Sequence, residues 1–180
     1  MKLVVGLGNP GGQYANTRHN VGFLMIDKLQ NNEGKSLGEL FTYDNKFGGE
    51  VVQTIFGGQK VIFLKPMEFM NRSGGAVSQI SNFYKIESKD ILVIHDDIDL
   101  GVGTIKFKLG GGAAGHNGIR DIMEKIGDQE FYRIRIGIDR PENSDYVAEY
   151  VLSNFKKEEI ENIVGKFDEI EDFVKEFLNK

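Results

Sequence analysis

The sequence predicts an α/β domain: a mixed, twisted β-sheet covered by helices on its faces and closed by a C-terminal amphipathic helix. Short, continuously apolar runs at Leu3 to Leu7 and Ile91 to Ile94 have the length and character of buried strands. Segments with helical spacing interleave with them, as sheets covered on both faces require. The 180 residues form a chain of ordinary single-domain size, long enough to bury a core without disulfides.

Each element follows from local pattern. After the first strand and a long polar turn, Val21 to Leu29 carries Val21, Leu24, Met25 and Leu29 on one helical face. Phe47 to Phe56 and Lys60 to Leu64 are β-rich runs joined by Gly57-Gly58-Gln59, a hairpin signal. Ala76 to Tyr84 reads as a helix, with Ser73 expected to cap it. The strand at Ile91 to Ile94 ends in His95-Asp96-Asp97. Thr104 to Leu109 alternates Ile105, Phe107 and Leu109 against Thr104, Lys106 and Lys108, a half-buried strand with both lysines on one face. Tyr132 to Ile138 sets Arg133 and Arg135 against Ile134 and Ile136 in the same way. Between these two strands, the glycine-rich Gly110 to Gly118 leads into a helix near Ile119 to Ile126. From Ile160 to Leu178 the apolar residues keep helical spacing throughout, predicting one packed terminal helix.

Composition narrows the chemistry. With no cysteine, thiolate catalysis, disulfides and Cys-ligated zinc are excluded. No apolar run approaches the ~20 residues of a membrane span, and the N-terminus has no signal-peptide pattern, so a soluble, cytoplasmic protein without a membrane partner is expected. The net charge of −5 argues against a surface that binds nucleic acid everywhere. Its distribution is uneven. Leu100 to Arg120 has no carboxylate but holds Lys106, Lys108 and Arg120, a stretch suited to an anion, whereas Lys156 to Lys180 is acidic.

Three chemical readings compete. Gly6-Leu7-Gly8-Asn9-Pro10-Gly11 matches the dinucleotide fingerprint G-x-G-x-x-G after a strand. The fingerprint requires a helix at once to meet the pyrophosphate, and Pro10 and the polar segment to Asn20 do not supply it. The turn instead presents Asn9 at a strand's carboxyl end. A metal site is the second reading, since Asp96, Asp97, Asp99 and the three histidines include possible ligands, but their spacing fits no familiar set. The third is metal-free hydrolysis. Asp96, held at the end of a buried strand, could orient His19 from another loop and stabilise its cationic form. Ser73 lacks the G-x-S-x-G elbow of a serine nucleophile. Asn9, Asn20, Asn71 and Asn117 offer neutral donors and acceptors suited to an ester or amide carbonyl, or simply to turns.

Several blocks together carry a resemblance. They are Val5-Gly-Leu-Gly-Asn-Pro-Gly11, Tyr14 with Thr17-Arg-His-Asn-Val-Gly22, Phe69-Met-Asn71 with Ser73-Gly74, His95-Asp-Asp97 with Asp99-Leu100, Lys106-Phe-Lys-Leu-Gly-Gly-Gly112, Gly115-His-Asn-Gly118 and Arg133-Ile-Arg-Ile-Gly137. In this order over residues 1 to 153, the chain resembles the bacterial peptidyl-tRNA hydrolase family. It departs at Ala113-Ala114, where glycine or another small or polar residue is frequent, and in a somewhat short C-terminus. The resemblance implies a monomeric esterase with no metal or organic cofactor that cleaves the ester between a peptide, or an N-blocked amino acid, and the 3′ end of tRNA. It implies His19 as general base, Asp96 as its orienting partner and Asn9 at the reacting carbonyl. Asn71 and Asn117 would hold the peptide, with Tyr14, Phe69 and Met70 in the same cleft. Lys106, Lys108 and Arg135 are candidates for tRNA phosphates, with a sheet-face ion pair as the alternative for Arg135. A non-catalytic RNA- or protein-binding module, like an organellar splicing factor that the fold also resembles, is the other functional class. The presence of His19, Asp96, Asn9, Asn71 and Asn117 together favours the enzyme.

Overall fold

The computed structural model describes residues 1–33 and 40–180. Its strands are β1 (Lys2–Gly6), β2 (Thr42–Asp44), β3 (Gly49–Phe56), β4 (Gln59–Pro66), β5 (Ile91–Asp97), β6 (Ile105–Leu109) and β7 (Tyr132–Gly137). They form one sheet in the order β2-β3-β4-β1-β5-β7-β6. The four central strands β4, β1, β5 and β7 are parallel, while β2, β3 and β6 add antiparallel edges. The central strands are the continuously apolar ones because both of their faces are covered. On one face, α1 (Val21–Glu33), α5 (Lys157–Val164) and α6 (Phe167–Leu178) pack Met25, Ile26, Ile163, Ile170, Val174 and Phe177 against Val4, Leu92 and Ile134. On the other, α2 (Ser73–Tyr84) and α3 (Asn117–Ile126) pack Val77, Ile80, Ile119 and Ile122 against Leu3, Val5 and Val93. This is the expected twisted mixed sheet covered on its faces.

The chain leaves β1 toward the α1 face, and leaves β4 and, through β6, β5 toward the α2–α3 face. Connections therefore part company at the carboxyl ends of β1 and its neighbours, where open α/β sheets form their ligand crevice. Asn9 follows β1 and Asp96 ends β5, so the fold itself brings those two segments to one place.

Local pattern misjudged several boundaries. The terminal helix is two helices, because the path breaks at Lys166 (φ −97°, ψ 9°), just after the C-cap Gly165. The apolar spacing runs across the break because Ile163 and Ile170 face the same core cluster. Ser73 opens α2 instead of capping it, and its hydroxyl donates back to the Met70 carbonyl at 2.8 Å. The hairpin turn is Gly57-Gly58 alone, with φ of 56° and 80°, and Gln59 already belongs to β4. Such a two-residue turn needs positive φ at both positions. The short β2 and α4 (Val147–Val151) have too few residues for a periodic signal. Arg133 is buried rather than sharing an open face with Arg135, and it donates to the carbonyls of Gly111 and Gly112 at 2.5 and 2.7 Å.

Candidate active site

Close backbone packing sets the site. A Cβ on Gly22 would lie 2.4 Å from the Ile94 carbonyl oxygen and 2.5 Å from the Leu7 nitrogen, so a glycine there lets α1 start directly against β1 and β5. The turn before it, Arg18–Asn20, is thereby held over the strand ends. Asn20 fastens this turn to the one after β1: its Oδ1 accepts the Asn9 N–H at 2.9 Å and its Nδ2 donates to the Asn9 carbonyl at 2.9 Å. The Asn9 side chain is oriented in turn, because Oδ1 accepts the Met70 N–H at 2.7 Å. That assignment directs Nδ2, a donor with no hydrogen bond of its own among the described residues, away from the Met70 backbone.

Beside it, Asp96 is 2% exposed and meets two imidazoles. His19 Nδ1 donates to Oδ2 at 2.8 Å, and His116 Nε2 donates to Oδ1 at 2.8 Å. His116 is also the N-cap of α3, its Nδ1 accepting the N–H groups of Gly118 and Ile119 at 3.1 and 3.3 Å. These bonds place the His116 proton on Nε2, facing Asp96. His19 carries its proton on Nδ1, which leaves Nε2 as a lone pair without a protein partner among the described residues. Burial opposes the cationic form of His19, but the charge and hydrogen bond of Asp96 outweigh it and raise its pKa above the ordinary histidine value. Burial likewise opposes the Asp96 carboxylate, yet the pull of His19 and His116 and their hydrogen bonds hold it well below the usual carboxylate range. His95 borders the same cavity, its ring 5.0 Å from that of His116 and its Nδ1 donating to the Asp96 carbonyl at 2.8 Å. Burial, with His116 close by, depresses its pKa to about 3, so His95 is neutral.

The donor atoms of His19, Asp96 and His116 lie within 4.8 Å of one another, a spacing open to a metal. The same atoms lie at hydrogen-bonding distance, each ring facing a different oxygen of the one carboxylate.

A cavity of about 510 Å³ opens next to this cluster. Its polar lining includes His19, His95, Asp96, His116, Asn117 and Arg140, and its apolar lining includes Ile98, Ala113, Val147, Ala148 and Val151. Of the predicted residues, His19, Asp96 and Asn117 thus share one cavity. Asn9 lines a separate recess with Pro10, Asn20 and Lys65, and is tied to the turn that carries His19 through its bonds to Asn20. Tyr14 and the 57%-exposed Phe69 meet edge to face, 6.3 Å between ring centroids. Met70 is only 4% exposed, and its sulfur lies against Gly118 in the core, so what it presents to the site is its backbone N–H. Asn71 is exposed but lines a neighbouring recess with Glu68, Arg72 and Asp121. Lys106 and Lys108 sit across from Arg135 and Arg133 on the β6–β7 ribbon. Arg135 donates to Asp97 at 2.7 Å, so the ion pair considered as an alternative is formed.

Sequence reasoning missed His116. Histidine is not among the usual N-cap residues, and its bond to Asp96 spans 20 residues. The available signal was its place in Gly115-His116-Asn117-Gly118, at the mouth of a helix and beside Asn117.

The family model described as peptidyl-tRNA hydrolase matches residues 3–180. A protein of Rickettsia felis named peptidyl-tRNA hydrolase is 48% identical over 188 aligned residues, covering 100% of this chain and 99% of that protein. A Bacillus cereus protein of the same name is 44% identical, covering 100% of this chain and 94% of its own length. The crystal structure of peptidyl-tRNA hydrolase from Acinetobacter baumannii superposes with a TM-score of 0.89 at 40% identity, over 96% of this chain and 85% of that one.

Proposed function

The chain belongs to the peptidyl-tRNA hydrolase family, and from that premise we propose how its residues divide the hydrolysis of the ester in peptidyl-tRNA. The activity is that of the family. The observation that carries this division is the hydrogen bond from His19 Nδ1 to the buried Asp96, which leaves Nε2 free at the cavity.

His19 Nε2 takes a proton from water as the water oxygen attacks the ester carbonyl. Asp96 holds the ring in the required tautomer and stabilises the imidazolium that results. His116, donating to the other oxygen of Asp96, keeps the carboxylate from turning away. Asn9 Nδ2 donates to the oxyanion of the tetrahedral intermediate. Collapse of that intermediate breaks the bond to the ribose oxygen at the tRNA 3′ end, and that oxygen receives the proton from His19. Asn117, and Asn71 from its neighbouring recess, hold amide groups of the peptide. Neutral amides favour an N-blocked substrate over one with a free ammonium, which would leave polar groups mismatched. Tyr14 and Phe69 supply an aromatic edge beside Asn9, and Lys106 and Lys108 meet tRNA phosphates, with Arg135 shared between phosphate and Asp97. The protein is read as a monomer acting in the cytoplasm, where translation supplies its substrate.

The test is release of labelled N-acetyl-amino acid from N-acetyl-aminoacyl-tRNA by wild type and His19→Ala, with unblocked aminoacyl-tRNA as control. Cleavage of only the blocked substrate, reduced roughly a hundred- to ten-thousand-fold in a folded His19→Ala, is expected. A folded and fully active variant would remove His19 as the base. An inactive wild type would favour a binding module.

A further inference from the structure

Arg18, the residue before the proposed base, takes part in none of these steps, yet it is 4% exposed and heavily engaged. Its side chain crosses to the segment between α4 and α5. Nη1 donates to Ser153 Oγ at 2.5 Å and to the Asn154 carbonyl at 3.0 Å, and Nη2 donates to Glu159 Oε1 at 2.7 Å. The guanidinium also lies 4.2 Å from the centroid of the Tyr150 ring. The backbone follows the same route: the Arg18 N–H donates to the Ser153 carbonyl at 3.1 Å, and the Phe155 N–H to the Asn16 carbonyl at 3.0 Å.

What lies at the far end of these bonds gives them meaning. Val147, Ala148 and Val151 of α4 form part of the apolar wall of the catalytic cavity. Tyr150 hydrogen-bonds the Ile138 carbonyl just beyond β7. Glu159 Oε1, besides holding Arg18, accepts the Lys156 N–H at 2.7 Å and so fixes the start of α5. Arg18 is therefore joined covalently to His19 and by hydrogen bonds to the opposite wall. A buried Arg–Glu pair is a poor source of stability compared with apolar packing, and its best-attested use is to fix register.

We propose that Arg18 is a positioning residue that sets His19 at its distance from the α4 wall, with Glu159 as the counter-ion that makes this possible. The inference rests on the reading of His19 as base. His19 itself is faced by Asp96, with the His116 ring 5.1 Å away, while the charge of Arg18 is satisfied by Glu159. Arg18 thus acts through geometry and not through its field.

The experiment compares wild type, Arg18→Ala, Arg18→Lys and Glu159→Gln. It measures kcat and KM on N-acetyl-aminoacyl-tRNA, the pH profile of kcat/KM, thermal melts and the nitrogen NMR signals of the His19 ring. For Arg18→Ala, kcat is expected to fall about a hundredfold, the scale of an ångström's misplacement. Arg18→Lys should recover part of this and remain about tenfold below wild type, since one ammonium cannot reproduce a guanidinium fork. Glu159→Gln should fall between those two variants. In each, the acid limb of the profile should move to lower pH as the His19–Asp96 bond loosens, a shift that mere destabilisation would not produce. Wild-type kcat, KM and pH profile in folded Arg18→Lys and Glu159→Gln would overturn the proposal, whatever their melting temperatures. If Arg18→Ala does not fold, those two variants decide. If wild type itself cleaves nothing, the functional reading fails separately, and the His19 ring signals decide this inference: altered in Arg18→Lys they support it, unchanged they overturn it.

Discussion

The centre of the sheet and its β6–β7 edge treat charge in opposite ways. At the centre, one buried carboxylate is saturated by two imidazoles, each fixed in its tautomer by a second constraint or by the fold. At the edge, Lys106 is exposed, Lys108 and Arg135 are half-buried, and partial burial together with the nearby Arg133 and Arg135 lowers the pKa of Lys108. Charge is thus crowded at the edge without enough carboxylate to neutralise it, the state in which an added phosphate is welcome. On the proposed roles, bond-making chemistry would depend on short distances between buried groups, whereas attraction of the substrate would depend on surplus charge that tolerates motion.

That contrast predicts effects of very different size. Asp96→Asn should be the most damaging, with kcat reduced by up to about ten-thousand-fold, because an amide cannot hold both rings in their donating tautomers. It should also move the pH profile. In wild type the base must be unprotonated, so kcat/KM should rise with pH through a midpoint above about 6.5, the ordinary histidine value. Without Asp96 only burial remains among the causes acting on His19, so the midpoint should drop below that value; an unmoved midpoint would detach His19 from the profile. Asn9→Ala should lower kcat by about a hundred- to a thousandfold with little change in KM, and a pure KM effect would reassign Asn9 to ground-state binding.

Edge variants should behave differently in kind. Lys106→Ala and Lys108→Ala should each reduce the salt dependence of tRNA binding by about one unit of slope and leave kcat at saturation unchanged. An unaltered slope would place the phosphates elsewhere. The smallest effect concerns the loop between the two regions, where Ala114 adopts φ 49°. Ala114→Gly should relieve left-handed strain and raise stability by roughly 0.5–1 kcal/mol in denaturant titrations, since the relief outweighs the greater freedom of glycine in the unfolded chain. A loss of stability instead would mean that the unfolded chain dominates.

Much of the fold was legible because the covered central strands must be continuously apolar and the helices must carry a stripe. Val21, Met25 and Leu29 mark the buried face of α1 in the text as clearly as in the structure. The break after Gly165 was not, because residues on both sides of it serve the same core and keep the same spacing. In the site, His19, Asp96 and Asn9 were found as polar residues at strand ends or in recognisable blocks. Met70 looked like a cleft residue from its neighbours Phe69 and Asn71, but only packing against Gly118 reveals that its side chain is core.

By itself, then, the sequence determined the layered α/β fold, the absence of thiol chemistry and the identity of several polar groups that gather at the strand ends, since periodicity and residue type are local properties. Tertiary structure alone decided which of those groups touch. The sharing of Asp96 between His19 and His116, the binding of Arg135 to Asp97 and the reach of Arg18 to Glu159 join residues 20 to 141 positions apart. No local preference encodes such pairs; they exist because strand order and the close approach at Gly22 bring their backbones together, and burial then requires each polar group to find a partner.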